Sequence, residues 1–254
     1  MNRLPALPLA PPEREIADLA RALKRANGPL LAMLNRLGGG LEAHMAALPP
    51  SLRAEVERVV MAALKAAHGV AGLGGLAPDI GRQGPMLAAM AAGAVGGAAG
   101  FAGALAELPV TVTLLLHAIR REAVAAGYDP DDMAVRAVCL EVFAAGAPMA
   151  ADDGVNTAFL SARLTVTGPA LHKIMAAVAP KLAAAMGQKL VAQAVPVLGA
   201  ITGAGLNAVY LNYYREVARI RFALLRLAGQ HGAELVLAEF AKATGAAKIS
   251  GRRG

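Results

Sequence analysis

From Gln83 to Ala106 the chain carries no charged side chain, and a second tract, Leu190 to Tyr214, is equally bare. Stretches of this length must leave water, either into a helical core or into a bilayer, which about 20 apolar residues suffice to cross. Alanine and glycine supply most of the first tract, "GPMLAAMAAGAVGGAAGFAGALA", and contribute little transfer energy. The composition therefore speaks for close helix packing as much as for lipid. Gly93 and Gly97 stand four residues apart, as do Gly199 and Gly203. That spacing strips one face of a helix and lets a second axis approach. These four glycines are the expected helix–helix contacts.

The rest of the chain agrees with helices. Alternation of β-branched residues is almost absent, whereas Ile16, Leu19 and Leu23 recur at three- and four-residue steps. The predicted fold is all-α, a multi-helix bundle with glycine-rich, closely packed hydrophobic helices. Residues 1–12 hold four prolines and read as a loose arm, 13–240 as a single helical domain, and 241–254 as a basic tail. One helix is predicted from Glu13 to about Leu37, with a gap near Gly28-Pro29, and another from Ser51 to about His68. Pro109 removes a backbone donor and is expected to divide or kink its helix near Glu107. In "GYDPDD", Gly127 reads as a helix stop, Asp129 as the N-cap of the next helix, Pro130 as its first residue, and Asp131 and Asp132 as its first turn.

Several function classes lose support. The single cysteine, Cys139, rules out an intrachain disulfide and fits a reducing compartment. The first residues lack the apolar core of a secretory signal, so cleavage there is not expected. The net charge of +7 is dispersed and Trp is absent, which does not specify nucleic acid and suits an anionic lipid surface at least as well. Ser161 lacks a nucleophile elbow, and "GAITGAG" has no Walker lysine and no strand before it. The histidines lack zinc-site spacing, and "GYDPDD" lacks a calcium loop's oxygen pattern. No catalytic residue, metal or cofactor is expected.

Two candidate sites survive. Glu107 is the lone acid of a long apolar region, and with Asn207 and Asp152 (in "ADDGVN") it forms a candidate polar site. Convergence beside an enclosed cavity would favour a soluble enzyme or small-ligand protein; a bridge between helices in a dry core would not. The other candidate begins where the second tract ends. Val217, Ile220, Leu224 and Leu227 share one helical phase and should face inward. Arg215, Arg219, Phe222 and Arg226 occupy the opposite side and are the expected contacts to lipid or a partner.

The chain also resembles a known family. "AELPVTVTLLLHAIRREAVAAGYDPDD" and "KLVAQAVPVLGAITGAGLNAVYLNYYREVARIRFALLRLAGQHG" are similar to the two halves of the EcsC protein family, over roughly residues 55–235. The family's acid before Leu-Pro is matched by Glu107, its small residues before an Asn by Ala204, Gly205 and Asn207, and its "AR-x-x-F" by Ala218, Arg219 and Phe222. Arg221 stands where the family often has His, and the chain departs from the family's "LER-x-x-G" ending after Leu227. This bacterial family is named from a gene beside an ABC transporter implicated in exoprotein secretion. The resemblance implies association with the cytoplasmic face of the membrane and an accessory role near transport or secretion machinery. The sequence-level expectation is thus a non-enzymatic protein, peripheral to or partly inserted in the membrane, whose partner is an anionic membrane surface or a membrane protein complex.

Overall fold

The computed structural model describes residues 11–36, 49–71, 84–144, 168–192 and 196–245. These hold eight helices and no strand: α1 (Glu13–Arg36), α2 (Pro50–Ala71), α3 (Gly84–Ala98), α4 (Gly100–Ala125), α5 (Met133–Ala144), α6 (Gly168–Ala192), α7 (Pro196–His231) and α8 (Ala233–Thr244). The chain is all-α, as its periodicity requires. Asp152 and the "ADDGVN" segment lie outside the described residues.

The bundle is organised around α7. Pro196 opens this 36-residue helix at the position where a missing N–H costs nothing. Its length gives α1, α3, α4 and α8 a common wall, while α2 packs on α4 and α6. The helical phase of the lower half holds: Val217, Ile220, Leu224 and Leu227 are all buried. Phe222 departs from the expectation. It is fully buried, with its ring centroid 5.4 Å from that of Tyr128, because the chain leaving α4 covers that side of α7 as well.

Pro109 does not divide its helix. α4 runs continuously through it, and the chain breaks instead at Ala99-Gly100, where Gly100 takes φ 66°. Pro109 is exposed and Leu105, whose carbonyl loses its partner, is only half-buried. The missing hydrogen bond therefore lies near the surface. At Gly100 the left-handed conformation suits glycine and turns α3 back onto α4.

The expected cap also moves. Gly127 (φ 85°) ends α4 in a Schellman arrangement, with the Tyr128 N–H donating to the Ala123 carbonyl at 3.0 Å and the Gly127 N–H to that of Val124 at 2.9 Å. Asp132, not Asp129, caps α5, accepting from the Ala134 and Val135 amides at 2.7 and 3.2 Å. Asp129 accepts from the Asp131 amide at 2.9 Å and shapes the turn before the helix. Asp131 pairs with Arg120 and Arg136 at 2.9 and 3.0 Å. These carboxylates accept from backbone amides and guanidinium groups. At the other end, α8 extends through Thr244 and closes on Gly245 (φ 79°), so the first residues of the expected tail are helical.

Aromatic residues close the centre of α7. Tyr214 packs edge-on to Phe143 and Tyr213 at 5.2 Å and stacks on Tyr210 at 6.4 Å. Burial pushes the Tyr213 phenol up to about 12 and raises those of Tyr210 and Tyr214 as well. A phenol whose folded-state pKa is raised contributes stability that is complete below the unfolded value, about 10. That stability is lost as pH climbs through the folded value, at up to roughly 1.4 kcal/mol per pH unit for each tyrosine. Melting temperature is expected to fall steeply above about pH 10, together with the rise of tyrosinate absorbance. Tyrosinate absorbance at pH 10 in still-folded protein, beyond that of the one partly exposed tyrosine, Tyr128, would show these rings to be solvated.

Candidate functional site

A buried charge centre joins four helices. Lys189 on α6 and Glu107 on α4 are sealed from solvent, their side chains 0% and 6% exposed. The Lys189 ammonium donates to both carboxylate oxygens, at 2.9 and 2.8 Å, and to the Thr111 hydroxyl at 3.1 Å. Its three N–H groups are thereby used. Asn207 on α7 donates from Nδ2 to Glu107 Oε1 and to the Ala89 carbonyl on α3, both at 2.7 Å, while Thr111 donates to Glu107 Oε1. Asn207 Oδ1 is buried with no hydrogen-bond partner among the described residues. Desolvation pushes the Lys189 ammonium below its ordinary value, against the attraction of Glu107.

Small residues make this centre possible. A Cβ at Gly96 would lie 2.7 Å from Glu107 Oε2, and one at Gly93 would lie 2.7 Å from Asn207 Nδ2 and closer still to the Gly203 carbonyl oxygen. Gly93 thus meets Gly203 where α3 crosses α7, at a separation that excludes side chains. Gly97 is buried on the same helix, and Gly199 lies one turn before Gly203 on α7. The contact lets the Asn207 side chain reach past α7 into the α3–α4 hairpin.

The chemistry of the centre is that of a tie. Glu107 Oε1 accepts from Lys189, Asn207 and Thr111, and Oε2 accepts from Lys189. Three donors converge on one oxygen, and the Lys189 ammonium balances the carboxylate charge in place. The structure brings together the predicted Glu107 and Asn207 in a packed core. Lys189 went unrecognised in the sequence; the only signal for it was the need of a buried acid for a cation. Arg221 was likewise missed as a buried group. It is 1% exposed and lies 3.6 Å from Glu141, and burial pushes its guanidinium down to about 10, so it stays charged at neutral pH.

The arginine face of α7 is engaged within the molecule. Arg215 donates to Glu122 at 3.4 Å, Arg219 to Glu216 at 2.9 and 2.6 Å, and Arg226 to Glu15. All three are partly exposed.

A different surface is apolar throughout. Helix α3, "GPMLAAMAAGAVGGA", contains no polar side chain, yet among the described residues its packing partners lie on one side. Ala89, Gly93, Gly96 and Gly97 face inward, while Leu87, Met90, Ala91, Val95 and Ala98 are exposed. Leu87 is 64% and Val95 75% exposed, and Val110 on α4 is 51% exposed. Among the described residues one helix, α4, is long and apolar enough to cross a membrane, and half of its apolar window is buried within the protein.

A model of the EcsC protein family matches residues 83–227, more than half of the chain. The chain belongs to the EcsC protein family. The matched region runs from the start of α3 into the last turns of α7 and contains Glu107, Lys189, Asn207, Gly93 and Gly203. It therefore holds both the charge centre and the apolar outer face, while α1, α2 and α8 flank the EcsC region. No match is found among curated proteins or solved structures.

Proposed function

We propose that this EcsC protein is a non-enzymatic helical module that seats on the cytoplasmic surface of a membrane through the outward face of α3, and serves there as an accessory to transport or secretion machinery. The observation that carries the reading is a helix with no polar side chain and one side open. A helix apolar all round belongs in a core or in lipid, and contiguous apolar surface is a feature that monomeric proteins seldom present without use. The half-buried state of α4 favours surface seating over spanning, because its inner side is held by the core. The charge centre, on this reading, is a rigid strut: through Asn207 and Glu107 it fixes the α3–α4 hairpin to α6 and α7. The net charge of +7 adds attraction to anionic headgroups.

Flotation with vesicles of phosphatidylcholine and phosphatidylglycerol tests this. Leu87→Glu/Val95→Glu places two carboxylates on the exposed face and touches no buried residue. Burying two side chains of this size contributes about 3 kcal/mol or more, so the variant is expected to stay in the unbound fraction at unchanged melting temperature. High salt should leave much of the wild type bound, since apolar contact is not screened. Equal flotation of variant and wild type would overturn the role of α3.

A further inference from the structure

A second feature lies away from both the charge centre and the α3 face. A cavity of about 530 Å³ opens between α1, α4 and α7, within the range of roughly 300–1,000 Å³ that holds small ligands. Its charged lining is Arg25 from α1, Glu122 from α4, and Arg215, Glu216 and Arg219 from α7, three cations against two anions. Each anion already faces an arginine. Glu216 receives two N–H groups of Arg219, and Glu122 receives the Arg215 Nε–H. Donors remain in excess. Arg25 makes no hydrogen bond or ion pair with any described residue, the terminal nitrogens of Arg215 make none, and the Asn212 amide stands exposed at the lining.

A site with three guanidinium groups against two carboxylates, and with guanidinium N–H groups unspent, selects a ligand that is anionic and rich in acceptor oxygens. We propose that this cavity binds the phosphate group of an anionic ligand, with Arg25 and Arg215 as its principal partners. Guanidinium forks match phosphate oxygens two at a time, and Glu122, by holding Nε, orients the Arg215 fork. Val209 and the Tyr213 ring line space beside it for the carbon portion. A membrane headgroup and a soluble phosphate ester share this chemistry. The inference does not depend on the seating of α3.

Two probes separate the sources. Glycerol phosphate is titrated calorimetrically into the full-length protein, and flotation compares phosphatidylglycerol vesicles with neutral ones. Each is repeated with Arg25→Gln/Arg215→Gln and with the equal-charge control Arg53→Gln/Lys65→Gln on α2, melting temperatures being checked for both. Saturable one-to-one binding of glycerol phosphate, weakened about ten-fold or more by the first pair and little by the control, supports a soluble ester. Absence of that binding, with the anionic-vesicle preference lost only in the first pair, supports a headgroup. If neither probe distinguishes the first pair from the control, the phosphate site is overturned, whether or not the wild type floats. A loss of flotation in Leu87→Glu/Val95→Glu alone bears on α3 and not on this cavity.

Discussion

Lys189→Met is expected to cost about 3–5 kcal/mol of folding stability, a large share of what a domain possesses. Methionine fills the space of the lysine stem, so the loss is not a cavity effect. It arises because Glu107, 6% exposed, is left in the core without its cation, with only Asn207 and Thr111 donating to it. The double variant Glu107→Gln/Lys189→Met removes both charges and leaves an amide that still accepts from Asn207. It should recover most of the deficit, since an absent buried pair costs far less than a broken one. Urea denaturation of wild type, single and double variants reads the difference directly. A single variant within about 0.5 kcal/mol of wild type would mean that the pair is hydrated in solution. A double variant as unstable as the single would mean that the geometry of the pair matters, not its charge balance.

The other large effect is steric. Gly93→Ala places a methyl group against the Gly203 carbonyl, 2.6 Å from its carbon, where α3 and α7 cross. Backbone cannot swing aside as a side-chain end can, so the helices must part. The expected loss is about 1–3 kcal/mol for alanine and more for leucine. The damage should spread, because separating the helices also draws the Ala89 carbonyl and Glu107 away from Asn207. Gly28→Ala supplies the contrast. Gly28 is exposed on α1 with nothing within 4 Å of the added Cβ, and alanine there should be neutral or stabilising by up to about 1 kcal/mol. Thermal melts of both variants decide the matter; an unchanged Gly93→Ala would remove the close crossing.

Several features of this EcsC protein were legible from residue order alone, because each depends on interactions within a few turns of chain. The period of the apolar residues determined an all-α fold. The phase of Val217, Ile220, Leu224 and Leu227 determined which side of α7 is buried. The spacing of Gly93 from Gly97 and of Gly199 from Gly203 marked helices able to cross closely, and the isolation of Glu107 and Asn207 among apolar neighbours marked them as polar exceptions. What those groups do was decided elsewhere. The cation for Glu107 stands 82 residues away in sequence, in "MGQKLVA", where nothing local separates Lys189 from any solvated helix lysine. Phe222 shares its helical phase with the arginines yet is covered by Tyr128, since burial depends on which neighbour arrives and not on phase. Pro109 by itself predicts a division or a kink near Glu107; its exposed position lets α4 continue undivided, and the reversal falls at Gly100. Period and phase are properties of a single helix, whereas the pairing of a buried charge and the covering of an aromatic ring require a second helix to be brought alongside, and only the assembled bundle does that.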